Sequence, residues 1–218
     1  MTGHWHTQRT AEKTATWIWL VAGSSTWFLV TLVVSLIETV FVSWVGTGPA
    51  LPHPWDQRLL MLPTWGFLVP AVWGFTARRL KGFLGLHAPD LRYLLFAFVT
   101  SSSAVIFVLA GFNRVSVALL PIAATAALPG FGVFEHACRP PKVTGIHSSF
   151  PVFVRAAYVW LLVASVMSIS AAYCDRSGGI WGASWHALTV GFLSTMLFAI
   201  GQRILPAFFG RHVFSVSS

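Results

Sequence analysis

The chain has 218 residues, of which 14 are Lys or Arg and 6 are Asp or Glu, giving a formal net charge of +8. Charged residues make up 9% of it, against about 25% in an average soluble domain, and hydrophobic residues make up 56%. So few charges cannot cover a soluble globule, and so much apolar content excludes disorder. With 2 Cys, 18 Gly and 12 Pro, disulfide-rich and collagen-like scaffolds are excluded as well, leaving a polytopic bundle of transmembrane helices.

A helix crossing the hydrocarbon core needs about 20 mostly apolar residues. Residues 1–16 are a polar arm, expected to be mobile. Six runs then qualify as spans: 17–45 (broken only by Glu38), 59–77, 93–110, 115–134, 152–172 and 186–209. The first is too long for a signal-peptide core of about 7–15 apolar residues and reads as a retained anchor. Residues 211–218 form a short tail without a seventh span. The strict alternation of barrel strands is missing, so the expected fold class is all-α with six spans.

Lys and Arg are shared unevenly between the connections. Arg9 and Lys13, then Arg78, Arg79, Lys81 and Arg92, then Arg139, Lys142 and Arg155, then Arg203 and Arg211 account for 11; Arg58, Arg114 and Arg176 are the other 3. Cytoplasmic retention of positive loops puts both termini in the cytoplasm. The surplus charge is therefore mostly topology, and no basic face interleaved with aromatics points to nucleic acid. Cys138 and Cys174 fall on opposite sides, too far apart to pair within one chain.

Small residues recur at every fourth position in the sixth run (Ala187, Gly191, Thr195, Ala199) and in the fifth (Ala164, Ser168, Ala172). Such stripes let neighbouring backbones approach closely. Pro63, Pro70, Pro121 and Pro129 lie inside the second and fourth runs and favour kinks. Trp17, Trp19, Trp44, Trp55, Trp181 and Trp185 near the ends of runs suit interfacial anchoring.

With so few polar groups, those on the outer side stand out as the place for chemistry. His186 opens the sixth run. A neutral imidazole at membrane depth suits a haem or copper ligand, and it equally suits an interfacial hydrogen bond to a loop carbonyl. His53 sits between Pro52 and Pro54, which stiffen its segment, and Asp56 is placed to orient a ligating His. Glu38 lies 21 residues past Trp17, about 30 Å along a helix, which brings it to the same side. Arg203 lies 17 residues past His186, about 25 Å along, and reaches the opposite interface by snorkelling. No phosphate-cradling glycine loop, nucleophile elbow or zinc spacing is present.

Two stretches carry a resemblance. One is His53-Pro54-Trp55-Asp56-Gln57-Arg58-Leu59-Leu60, running into Trp65-Gly66-Phe67 and Trp73-Gly74-Phe75. The other is Trp185-His186-Ala187-Leu188-Thr189-Val190-Gly191-Phe192, running through Met196 to Gly201-Gln202-Arg203-Ile204-Leu205-Pro206-Ala207-Phe208. Together they resemble the NnrS family of polytopic, haem- and copper-containing membrane proteins linked to nitric-oxide metabolism and nitrosative stress in bacteria. The resemblance implies a multi-pass protein of the bacterial inner membrane that binds haem and copper. It raises His186 and His53 as the cofactor and metal ligands; by their positions along the chain, Arg203 is a further candidate for cofactor contact at its side, and Glu38 and Asp56 for metal contact on the outer side. Nitric oxide is the implied gaseous ligand. Members of that family are about twice as long, so a homo-oligomer or a missing C-terminal half is expected to complete the centre. The alternative expectation is a cofactor-free membrane transporter or scaffold subunit. No catalytic residue is assigned.

Overall fold

The computed structural model describes residues 3–45, 53–138, 149–175 and 178–209; side chains are described for 17–44, 55, 57–138, 149–175 and 178–202. Every regular element among these residues is helical. In chain order they are α1 (Gly3–Val45), α2 (His53–Leu59), a π-helical segment (Leu62–Leu68), α3 (Val69–Leu84), α4 (Leu91–Leu109), α5 (Asn113–Phe131), α6 (Phe150–Cys174), α7 (Gly179–His186), a second π-helical segment (Ala187–Ser194) and α8 (Thr195–Phe209). Among the described residues, six helices are long and apolar enough to cross a membrane: Trp17–Trp44, Gln57–Leu84, Leu91–Leu109, Asn113–Phe131, Phe150–Cys174 and Gly179–Gln202.

Three boundaries differ from the sequence expectation. The polar arm is not a separate segment, because α1 runs unbroken from Gly3 into the first span. The second span continues seven residues beyond Ala77 to Leu84. Arg78, Arg79 and Lys81 end the apolar run there but are good helix formers, and Arg78 lies over the Trp17 ring at 4.2 Å. The sixth span begins at Gly179, seven residues before His186. Asp175 explains that earlier start: its carboxylate accepts from the backbone N–H of Gly178 (2.9 Å) and of Trp181 (3.0 Å). That satisfies donors that a helix start otherwise leaves unpaired.

Packing follows the small residues. α1 turns Trp17, Leu20, Ser24, Trp27, Thr31, Val34 and Glu38 inward at alternating three- and four-residue steps, the spacing of a single helical seam. The seam meets the second span at its two Trp-Gly-Phe repeats. A Cβ on Gly66 would lie 3.3 Å from the Trp27 ring, and one on Gly74 would lie 2.7 Å from Val21. Trp65 and Trp73, beside those glycines, point into the core. The sixth span docks on α6 in the same manner, since a Cβ on Gly191 would lie 2.7 Å from the Trp160 ring.

Tyr158 of α6 is fully buried; its hydroxyl donates to Thr76 Oγ1 (3.2 Å) and its ring meets Phe131 and Phe192. One side chain thus ties the second, fourth, fifth and sixth spans. Pro70 accounts for another cross-link. Val69 N–H reaches back five residues to the Thr64 carbonyl, and Pro70 has no N–H to do the same for Trp65. Ser101 Oγ of α4 donates to the Trp65 carbonyl instead, at 2.8 Å.

At the end of the bundle where α6 begins, Arg155 donates to the Val133 and Glu135 carbonyls. Cys138 Sγ and N–H both reach the Gly85 carbonyl there. Cys174 closes α6 at the other end, so the two free thiols are separated by that helix, as expected.

Candidate functional site

A group of polar side chains gathers at the end of the bundle where α6 stops and the sixth span starts. A pocket of about 290 Å³ opens there between the second, third, fourth, fifth and sixth spans. Arg58 and Arg114 line it with Gln57, Asn113, Ser116 and Asp175, above a floor that includes Met61, Val117 and Trp181. Arg58 lies over the Trp55 ring at 5.5 Å, and Arg114 over the Tyr173 ring at 5.5 Å. Arg58 also reaches the tight turn between α4 and α5: its Nη1 lies 4.0 Å from where a Cβ on Gly111 would sit. Gly111 adopts φ +90°, the left-handed region that glycine enters without strain, and this keeps the turn short enough to bring Arg114 to the pocket.

Below the pocket a narrow seam continues into the bundle, sharing Met61, Val117 and Trp181 with it and adding Trp65, Ser184 and Trp185. Trp181 and Trp185 stack edge to face at 5.6 Å. Both π-helical segments border this seam, through Trp65 in the first and Leu188 in the second. π-helical turns concentrate at functional sites, and these two coincide with the two stretches singled out in the sequence.

The sequence candidates are placed as follows. His186 closes α7 about 10 Å inside the sixth span, not at its mouth. Its side chain is exposed on the outer face of that span, on a stripe with Gly182, Val190 and Leu197, and does not line the pocket or the seam. Glu38 is half-buried on the inward seam of α1. The antiparallel register set by Trp27 on Gly66 and Val21 on Gly74 puts Glu38 level with the start of the second span. α1 docks on the second span and the sixth span on α6, so Glu38 and His186 belong to different flanks of the bundle. His53 opens α2 and Asp56 lies within it. Their side chains lie outside the described residues, as does that of Arg203 in α8. Among the described residues, no three His, Cys, Asp or Glu side chains converge as a metal site.

Arg58, Arg114 and Trp181 entered the sequence reading as loop charges or an interfacial anchor. That they share a pocket follows from three helix ends meeting, which no local pattern announces. Ser116 carried a local signal, a hydroxyl one turn into α5, whose only other hydroxyl is Thr125.

Residues 58–214 match the family DUF8744, a domain of unknown function, and the chain belongs to that family. No curated protein and no solved structure matches it.

Proposed function

We propose that this DUF8744 protein is an integral haem-binding protein of the NnrS type in the bacterial inner membrane, with both termini cytoplasmic, acting in nitric-oxide or nitrosative-stress responses. The observation that carries the reading is the position of His186. An imidazole stands on the apolar outer face of a membrane-spanning helix, two turns inside it. Polar groups at that depth are costly unless something engages them.

The surroundings fit one face of a haem. Gly182 and Ala183 leave the helix surface flat beside the imidazole, and a Cβ on Gly182 would meet nothing within 4 Å. Val190 and Leu197 continue the same face with apolar surface. His186 would hold the iron from this side. A second wall would come from another copy of the chain or from further helices, in keeping with the greater length of the family it resembles. Haem would supply an iron with a position open to nitric oxide. Copper at His53 rests on the resemblance alone; roles for Glu38, Asp56 and Arg203 rest on their positions along the chain.

The test is haem content. Protein purified from haem-replete membranes should carry haem in a fixed ratio to chain, and His186→Ala should lose it. Wild-type protein that is colourless and metal-free would overturn the reading. A cofactor-free transporter is the second reading, favoured by the pocket that narrows into the seam between the spans. Substrate flux in metal-free proteoliposomes would select it.

A further inference from the structure

The structure assigns a second binding site, independent of His186: we propose that the pocket between Arg58, Arg114 and Ser116 holds a tetrahedral oxyanion, a phosphate, either free or as a phospholipid headgroup. Three observations carry this.

The first is Ser116. It is fully buried and lines the pocket, and its Oγ has no hydrogen-bond partner among the described residues. Hydroxyls elsewhere in these helices silence themselves: Thr26, Thr31, Thr64, Ser168 and Thr189 each donate to the carbonyl four residues back. Ser116 does not, so its donor is left for something in the pocket. A buried hydroxyl without a partner is costly, which favours a ligand that engages it.

The second is Arg58. An arginine at a helix end normally snorkels, delivering its head to water. Arg58 keeps Nε buried and without a hydrogen-bond partner among the described residues, with its guanidinium held over Trp55 and beside Gly111. The planar fork is thereby fixed before any ligand arrives, which suits bidentate recognition of phosphate oxygens.

The third is the charge balance. Asp175 also lines the pocket, but both of its oxygens accept backbone N–H groups at the start of α7. Two guanidiniums face one engaged carboxylate, leaving the described lining net positive. Guanidinium from two different helices plus a buried hydroxyl offers donors from several directions, as a tetrahedral acceptor requires.

The experiment follows the melting temperature of the full chain by Trp fluorescence. One arm titrates inorganic phosphate into detergent-solubilised protein against chloride at matched ionic strength. The other compares nanodiscs of phosphatidylglycerol with nanodiscs of a phosphate-free glycolipid, diglucosyl diacylglycerol. A saturable rise with phosphate identifies a soluble oxyanion; a rise with phosphatidylglycerol alone identifies a headgroup. The rise should vanish in Arg58→Gln/Arg114→Gln and survive in Arg78→Gln/Arg79→Gln, which removes equal charge at the other end. Ser116→Ala, a milder change, should weaken the apparent affinity about fivefold, one hydrogen bond's worth. No rise in either arm, or an equal rise in the Arg58/Arg114 and Arg78/Arg79 variants, overturns the proposal. So does a Ser116→Ala protein with unchanged affinity.

Discussion

Single residues decide how closely these helices approach. Gly191 is the clearest case, because any Cβ there meets both Cβ and the ring of Trp160 at under 3 Å. Gly191→Leu should destabilise the protein by about 1–3 kcal/mol, read as a lower melting temperature in detergent. Ser101 has a different task, serving the carbonyl that Pro70 leaves without a donor. Ser101→Ala should cost about 1 kcal/mol, the range of interhelical hydrogen bonds in membranes, while Ser102→Ala should release only the half-buried Trp27 Nε1 contact of 3.0 Å. The small stripes were legible in the sequence, as Ala187, Gly191 and Ala199 are buried. The role of Ser101 was not, because it depends on a proline 31 residues away in another helix.

At the scale of elements, apolar length located all six spans, since crossing a membrane demands it whatever the packing. Their ends were less legible. Charge ends an apolar run without ending a helix, which is why the second span outlasts Ala77. The glycines at 178, 179 and 182 disguise the start of the sixth span, which a carboxylate cap at Asp175 sustains instead. Asp175→Ala should therefore speed hydrogen exchange at the Gly178 and Trp181 amides and cost about 1 kcal/mol. α1 illustrates the converse. In an 18-residue apolar window of its span 11% of residues are buried, against 56% in that of the second, so a generally apolar helix conceals a narrow packing seam. That seam could be traced only once the Trp-Gly-Phe repeats were seen to receive it.

For the whole molecule, the helices place Cys138 and Cys174 at opposite ends, and the proposed orientation, with both termini cytoplasmic, puts Cys174 at the outer end. A membrane-impermeant maleimide applied to intact spheroplasts should label Cys174 and reach Cys138 only after permeabilisation. The reverse pattern would invert the orientation. The candidate ligands His53, Asp56, Glu38 and His186 were read as one outer cluster from sequence distance to the membrane edge. Distance along an axis is legible in that way; the side of the helix is not, and His186 faces outward on a different flank from Glu38. The central claim is accordingly about that outward imidazole. Its most direct test is the optical spectrum of the purified protein beside His186→Gly with and without added imidazole. The account predicts a Soret band in the wild type, its loss in the variant, and its return with imidazole. A band that persists unchanged in His186→Gly, or no band in the wild type, would contradict it.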